Sequence, residues 1–294
     1  MKEIDCDKAF IKDIFAGWYC IPNYQRPYVW ETEQVEELLD CVQNACENKE
    51  EQYFLGSIVY KKNFGEREGV KYTEFELLDG QQRITTIFLI IAVIRDIVLK
   101  NESKIDKRIV DNIKTTCEKL IYQEKNPYLS IPEDRLRIVF DIRKDVKDFV
   151  DKFIKETGST SNEEEFEKRA NDRKINTSIK HMSNTVLVAR KFFSDDISKI
   201  GTFLQYLLNN VLLVYIATED LQDAFQLFTV MNNTGLKLTN SDILKAENLK
   251  EIESESKQNT WAEEWEAMES YFGEDFDNFL SQIRTILVKK LIKK

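Results

Sequence analysis

The spacing of apolar and polar positions predicts a strand, a second strand and a helix in the first hundred residues. Residues 53–60 and 70–78 are rich in β-branched and aromatic side chains, which favours two strands. The segment Asn63-Phe64-Gly65 between them is typical of a turn. Residues 81–99 are apolar on nearly every face, so this segment is predicted to be a buried helix.

Two more helices are predicted in the first hundred residues, one over Asp7–Phe15 and one after Thr32, whose hydroxyl suits a helix cap. Beyond residue 100 the chain is predicted to be mostly helical. The β-branched run Val211–Thr218 predicts one further buried strand. We therefore expect an α+β fold, with a small α/β core over residues 1–100 and a mainly helical portion over residues 101–294 that completes the pocket.

Composition excludes several kinds of site. The 294 residues carry 42 basic and 52 acidic side chains, a net charge of −10, which argues against a broad DNA-binding surface. The single histidine, His181, is too few for an HNH nuclease or a zinc deaminase. Five cysteines without C-x-x-C spacing and an N-terminus without a signal-peptide pattern favour a reducing, cytoplasmic location.

The strongest candidate for chemistry is the segment Asp79-Gly80-Gln81-Gln82-Arg83, where a strand ends and a helix begins. Helix N-termini attract phosphate, and Gly80 allows a ligand to approach the backbone closely. Arg83 offers a planar fork for phosphate, Gln81 or Gln82 could orient an attacking water, and Asp79 could hold Mg²⁺ or that water. The structural alternative is an ordinary Asp-Gly turn in which Asp79 caps the helix.

Two further segments carry candidate ligand-binding residues. In the stretch 21–30, which Pro22 and Pro27 keep extended, Arg26 could reach a phosphate with Gln25 beside it as a donor. The aromatic residues that could stack on a base are Tyr24, Tyr28 and Trp30. The alternative is that the aromatic side chains fill the core and Arg26 pairs with an acidic residue. Turn and cap chemistry explains most of residues 225–245, and it leaves Asn232 and Lys245 as candidates for ligand contact.

Taken together, these segments resemble the GmrSD restriction-endonuclease N-terminal domain family, which belongs to the ParB/sulfiredoxin-like superfamily. The resemblance covers roughly residues 5–250. It is specific because four separate motifs occur in the same order, namely Ile21-Pro22-x-Tyr24-Gln25-Arg26-x-Tyr28-x-Trp30, Phe54-Leu55-Gly56-Ser57-Ile58, Leu78-Asp79-Gly80-Gln81-Gln82-Arg83 and Phe228-x-x-x-Asn232-x-x-Gly235-x-x-Leu238-x-x-x-Asp242-x-x-Lys245.

The resemblance implies a ParB-like α/β core, a nucleoside-triphosphate site at the DGQQR segment, and a role in restricting modified foreign DNA. We expect an Mg²⁺-dependent NTPase module that reaches modified DNA through a partner or a separate C-terminal nuclease domain and does not cut DNA by itself. The alternative is a non-catalytic module that binds DNA or a nucleotide without turnover. We also expect Arg26 and Arg83 to face one shared anion.

Overall fold

The computed structural model describes the chain except for residues 1–3, 23–24, 68, 127, 129–130, 132, 141–143, 173, 195, 220–240, 242–243, 246–247, 250, 253, 273–274 and 289–294. The chain forms two compact units. The first comprises Met1–Ile21 and Pro27–Phe225, and the second comprises Pro22–Arg26 and Gln226–Lys294.

The first unit is built on a mixed six-stranded sheet. Its strands, in chain order, are β1 (Asp5–Phe10), β2 (Tyr19–Ile21), β3 (Tyr53–Arg67), β4 (Val70–Asp79), β7 (Ile138–Phe140) and β8 (Val211–Thr218). The spatial order is β1-β8-β3-β4-β2-β7. β3 pairs antiparallel with β4 and parallel with β8, while β2 runs parallel to both β4 and β7. A separate short pair joins β5 (Tyr122–Gln123) to β6 (Arg135–Leu136).

Helices cover this sheet and pack on one another. They are α1 (Ile11–Ile14), α2 (Thr32–Glu47), α3 (Gln81–Lys100), α4 (Lys107–Ile121), α5 (Lys144–Val150), α6 (Glu163–Asn171), α7 (Thr177–Phe193) and α8 (Ile197–Asn209). α3 packs against α4 and α7, and α2 packs against α7 and α8. The architecture confirms the predicted α+β class.

Helix α3 runs through the middle of the first unit, and sixteen of its 20 residues are buried. Apolar side chains such as Ile87 and Ile91 are completely shielded from solvent. Each fully buried side chain of this kind contributes roughly 1.5–3 kcal/mol, so the apolar sequence explains the helix position. The prediction of a buried helix over residues 81–99 is confirmed.

One ion pair lies inside this apolar helix. Arg95 donates from Nε to Asp96 Oδ1 at 2.7 Å, and its remaining N–H groups bond the carbonyl oxygens of Ile154, Lys155 and Glu156. Asp96 also accepts from the backbone N–H groups of Gly158 and Thr160 and from the Thr160 hydroxyl. The pair is satisfied on both sides, and it anchors to α3 the π-helical turn Asp151–Lys155 and the segment 156–160 that follows it.

Three local sequence predictions were wrong. The predicted helix Asp7–Phe15 is a strand followed by one helical turn, because β1 pairs with the distant β8. The predicted turn at Asn63–Gly65 lies inside β3, which continues to Arg67. Thr32 does not cap α2, because Glu31 and Gln34 form a reciprocal capping box there.

The sheet does not end where the sequence analysis divided the chain. β7 and β8 come from beyond residue 100; β7 is an edge strand, and β8 lies between the edge strand β1 and β3. The boundary between the two compact units lies after Phe225, apart from the short segment Pro22–Arg26, and not at residue 100.

The second unit contains the two C-terminal helices, α9 (Glu255–Phe272) and α10 (Phe276–Val288). Aromatic rings hold these helices together: the Phe272 and Phe279 rings stack with centroids 4.2 Å apart, and Trp265 meets Phe276 edge-on. Among the described residues, no helix has the length and apolar content needed to span a membrane.

Asp96→Ala is expected to destabilise the protein by about 3–5 kcal/mol, because it leaves the Arg95 guanidinium buried without its counter-charge. The free energy of unfolding in urea measures this change. The matched control is Lys114→Ala, which removes one member of an exposed pair with Glu118 and is expected to cost less than about 0.5 kcal/mol. Equal small effects of the two substitutions would contradict the anchoring role of Asp96.

Candidate functional site

The predicted chemical segment lies where β4 ends and α3 begins. β4 ends at Asp79, Gly80 is the N-cap, and α3 starts at Gln81. Gly80 has φ 80° and ψ 6°, a left-handed conformation. A Cβ atom there would stand 2.6 Å from Ile58 Cγ2 and 3.1 Å from the Ser57 carbonyl oxygen. Both the backbone angle and the space therefore require glycine at this turn.

A second glycine shapes the place of Arg83. Gly56 of β3 has φ 130°, and the β3–β8 register shifts between Phe54 and Gly56. A Cβ on Gly56 would lie 2.8 Å from Arg83 Cζ, so the guanidinium rests directly on the glycine backbone. Arg83 Nη1 donates to the Ser57 carbonyl oxygen at 3.0 Å. The guanidinium is therefore held across β3 at the start of α3.

Asp79 and Arg83 are partly buried charges of opposite sign. Burial raises the pKa of Asp79, although the Gly80 N–H and the Arg83 charge act in the opposite direction. Burial also lowers the pKa of Arg83, against the effect of Asp79. For both groups burial outweighs the attraction between them. The turn therefore holds two charges that are incompletely compensated, a condition common at functional sites.

The two glutamines of the segment have different environments. Gln81 is buried, with 8% of its surface exposed. Gln82 is half-buried, and its side-chain amide makes two backbone hydrogen bonds. Its Nε2 donates to the Pro27 carbonyl oxygen at 2.8 Å, and its Oε1 accepts from the Val29 N–H at 2.9 Å. The Gln82 amide thus bridges the two residues that flank Tyr28.

Tyr28 is fixed from three directions. Its N–H donates to the Ser178 hydroxyl at 2.9 Å, and its own hydroxyl lies 2.6 Å from Thr86 Oγ1 and 2.9 Å from Thr185 Oγ1. Thr86 in turn donates to the Gln82 carbonyl oxygen at 2.9 Å. Burial raises the pKa of Tyr28 to about 12, so its hydroxyl stays protonated at neutral pH. The segment after Arg26 is therefore attached to both α3 and α7.

The remaining predicted site residues belong to the second unit or lie outside the described residues. Gln25 is buried and Arg26 is partly exposed, and both belong to the second unit. Lys245 is also there, almost fully buried, with its Nζ 3.8 Å from Glu269 Oε2. Tyr24 and Asn232 lie outside the described residues. The shared anion between Arg26 and Arg83 stays a prediction, because the two residues belong to different units.

Two cavities of about 420 and 650 Å³ lie elsewhere in the first unit, on either side of Tyr122 and Lys155. Their walls carry side chains of both charge signs, and neither wall includes a residue from Asp79–Arg83. Lys155 Nζ stands 4.2 Å from the Tyr122 ring centroid between them. The cavities therefore do not extend the candidate site.

Two contributors to the site were not predicted from the sequence. Ser57 was named only as part of a family motif, yet its carbonyl oxygen accepts from Arg83. Ser178, on α7, was not singled out at all. Gly56, a glycine inside the predicted strand 53–60, predicts a close approach to the backbone, and Arg83 makes it. Nothing local to Ser178 indicates its contact with Tyr28.

Residues 8–249 match the GmrSD restriction endonuclease, N-terminal domain family. The chain belongs to this family. Membership identifies it as a module of a restriction or phage-defence protein, in a family that acts on modified DNA. No curated protein is similar enough in sequence to be matched to the chain. The matched residues include the Asp79–Arg83 turn, Gly56, on which the Arg83 guanidinium rests, and the segment with Tyr28.

The raised pKa of Asp79 predicts a pH-dependent stability difference between the wild type and Asp79→Asn. From the ordinary pKa of about 3.9 up to the higher folded-state value, the folded wild type binds more protons than the unfolded chain. Its free energy of unfolding is therefore expected to fall, relative to Asp79→Asn, as the pH rises through this window. Urea unfolding across the acid range measures the difference, with exposed Asp148→Asn as the charge-matched control. A wild-type free energy of unfolding that rises relative to that of Asp79→Asn as the pH rises through this window would contradict the burial of Asp79.

Proposed function

We propose that this module binds a nucleoside triphosphate at the Asp79–Arg83 turn and hydrolyses it, in support of the restriction of modified DNA. The observation that carries the proposal is the Arg83 guanidinium, held on Gly56 beside the first turn of a buried helix. A fixed, partly buried arginine next to the N-terminus of a helix combines the two features that most favour phosphate binding.

The described residues supply distinct parts of such a site. Arg83 uses one N–H on the Ser57 carbonyl oxygen, and a guanidinium has five N–H donors, so it can also hold phosphate oxygens. The backbone of α3 presents its first N–H groups at the same end, with glycine before them. Phosphate would also supply the negative charge that lessens the cost of burying Arg83.

Asp79 fits a site in which Mg²⁺ is held mainly by the triphosphate. Among the described residues, no three His, Cys, Asp or Glu side chains come together as a metal-binding group. Mg²⁺ is commonly held by one or two carboxylates together with substrate phosphates and water. Asp79 would be the protein ligand, and the ion would neutralise phosphate charge. The carboxylate would gain a cation in a place where burial now disfavours its ionised form.

One observation favours the non-catalytic alternative, in which the nucleotide is bound without turnover. The Gln82 amide is engaged by the backbone of Pro27 and Val29 through both its oxygen and its nitrogen. An amide used in this way is poorly placed to orient an attacking water. Gln81 then stays the candidate for orienting the water. Because the two alternatives differ in hydrolysis and share nucleotide binding, binding and hydrolysis are measured separately.

Contact with DNA through the β3–β4 hairpin has little support in the charges. Lys61 lies 3.6 Å from Glu76, and Lys62 lies 2.9 Å from Asp5. These lysines are paired within the first unit, and the chain as a whole carries a net charge of −10. We therefore propose that modified DNA is reached through a partner or a separate nuclease domain, with this module supplying the nucleotide-dependent step.

Arg83→Gln is expected to weaken triphosphate binding at least about tenfold, because a hydrogen bond to a charged group contributes about 1.5–3 kcal/mol. Titration calorimetry with ATP and with GTP, in the presence of Mg²⁺, gives Kd, and phosphate release gives turnover. The control is Arg108→Gln on the exposed face of α4, which removes the same charge. Wild-type protein that binds neither nucleotide, or equal affinity in both variants, would overturn the proposal.

The same titrations test the candidates in the second unit. Arg26→Gln and Lys245→Gln are each expected to raise Kd if these residues contact the nucleotide. Because Lys245 is almost fully buried beside Glu269, its variant also needs an unfolding measurement. A loss of stability with unchanged affinity would assign Lys245 to the core of the second unit.

A further inference from the structure

We infer that Gln82 is a positioning residue that holds the first turn of α3 in the conformation that binds triphosphate. The inference rests on the proposed function and assigns Gln82 a role without contact to the reacting atoms. Its amide bonds the backbone on both sides of Tyr28, with Nε2 to the Pro27 carbonyl oxygen and Oε1 to the Val29 N–H. The side-chain amide thus accepts from one backbone N–H and donates to one backbone carbonyl oxygen, as a neighbouring β-strand would.

The two hydrogen bonds from the Gln82 amide to Pro27 and Val29, called the Gln82 clamp below, take the place of an ordinary helix cap. Most helix N-termini are held by a Ser, Thr, Asp or Asn side chain that accepts a backbone N–H. The N-cap of α3 is Gly80, which makes no side-chain capping bond. The glycine is required there, because a Cβ atom would collide with Ile58. The first turn carries Arg83 and the first N–H groups of the helix, which have no partner within it, so another restraint helps to keep the turn ordered.

The clamp connects that first turn to rigid parts of the fold. Tyr28, between the two clamped residues, donates its N–H to Ser178 on α7 and places its hydroxyl beside Thr86 and Thr185. Thr86 also donates to the Gln82 carbonyl oxygen, one turn earlier in α3. Gln82 is thus held at its backbone and at its side chain. Such support around a binding site reduces the ordering that a ligand must induce.

The role predicts a specific kinetic signature. A group that preorganises the phosphate-binding turn supports ground state and transition state equally, so its loss raises KM and leaves kcat nearly unchanged. A glutamine that oriented the attacking water would instead lower kcat with little change in KM. The two roles of Gln82 are therefore separable in one experiment.

The experiment compares Gln82→Glu with Gln205→Glu, which adds the same charge on the exposed face of α8. Glutamate has nearly the same shape but cannot donate to Pro27. With Mg²⁺-ATP and Mg²⁺-GTP, Gln82→Glu is expected to raise Kd and KM about tenfold, equivalent to about 1.4 kcal/mol, with kcat within about twofold. A drop in kcat at unchanged KM, or no change in either, would overturn the inference.

Ser178→Ala provides a second variant on a different helix. It removes the acceptor of the Tyr28 N–H, so it is expected to raise KM a few-fold, and an unchanged KM would count against the clamp. Amide hydrogen exchange at Val29, whose N–H donates to Gln82, tests the clamp without any nucleotide. It therefore distinguishes absence of the clamp from failure of the proposed function, which fails if the wild type binds no nucleotide. Exchange at Val29 about tenfold faster in Gln82→Ala would still show the clamp, and unchanged exchange would exclude it.

Discussion

The burial of α3 is the constraint on which the rest of the first unit depends. An apolar helix of 20 residues with sixteen of them buried needs partners on every side. The sheet and helices α4 and α7 supply those partners. Burial also demands that each polar group on the helix be satisfied, since an unpaired buried group costs about 1–3 kcal/mol. The positions of several loops follow from that demand.

The two ends of α3 meet this demand in different ways. Near the C-terminal end, the Arg95–Asp96 pair uses its hydrogen-bonding capacity on the backbone of residues 154–160, so the charges are compensated inside the protein. At the N-terminal end, burial raises the pKa of Asp79 and lowers the pKa of Arg83, so their charges are less well compensated. The first arrangement is structural, whereas the second is where we propose that an anion binds.

Two glycines allow the site to be this compact. Gly80 lets β4 turn directly into α3, and Gly56 lets the guanidinium of Arg83 lie against β3. Both adopt backbone angles unfavourable for other residues. The absence of a capping side chain at Gly80 is compensated at a distance, through Gln82 and the segment around Tyr28. A short sequence motif thus depends on contacts with residues more than fifty positions away.

The elements that depend on local pattern were predictable from the sequence. α3 and β8 have the predicted positions, because their apolar runs are long and uninterrupted. β1 was not predictable, because its conformation depends on pairing with β8 some two hundred residues later. The strand-to-helix position of Asp79–Arg83 was predictable. Gly56 indicated a close approach to the backbone, but neither Arg83 as the approaching group nor the Gln82 hydrogen bonds to Pro27 and Val29 were predictable, since a linear pattern does not identify distant partners.

The central claim is that phosphate binds at the turn between β4 and α3. A structure determined with Mg²⁺ and a non-hydrolysable triphosphate tests it most directly. The account predicts phosphate oxygens within about 3 Å of the Arg83 guanidinium and of the first N–H groups of α3, as hydrogen bonds require. A triphosphate bound elsewhere, with the turn between Asp79 and Arg83 free of phosphate, would contradict it.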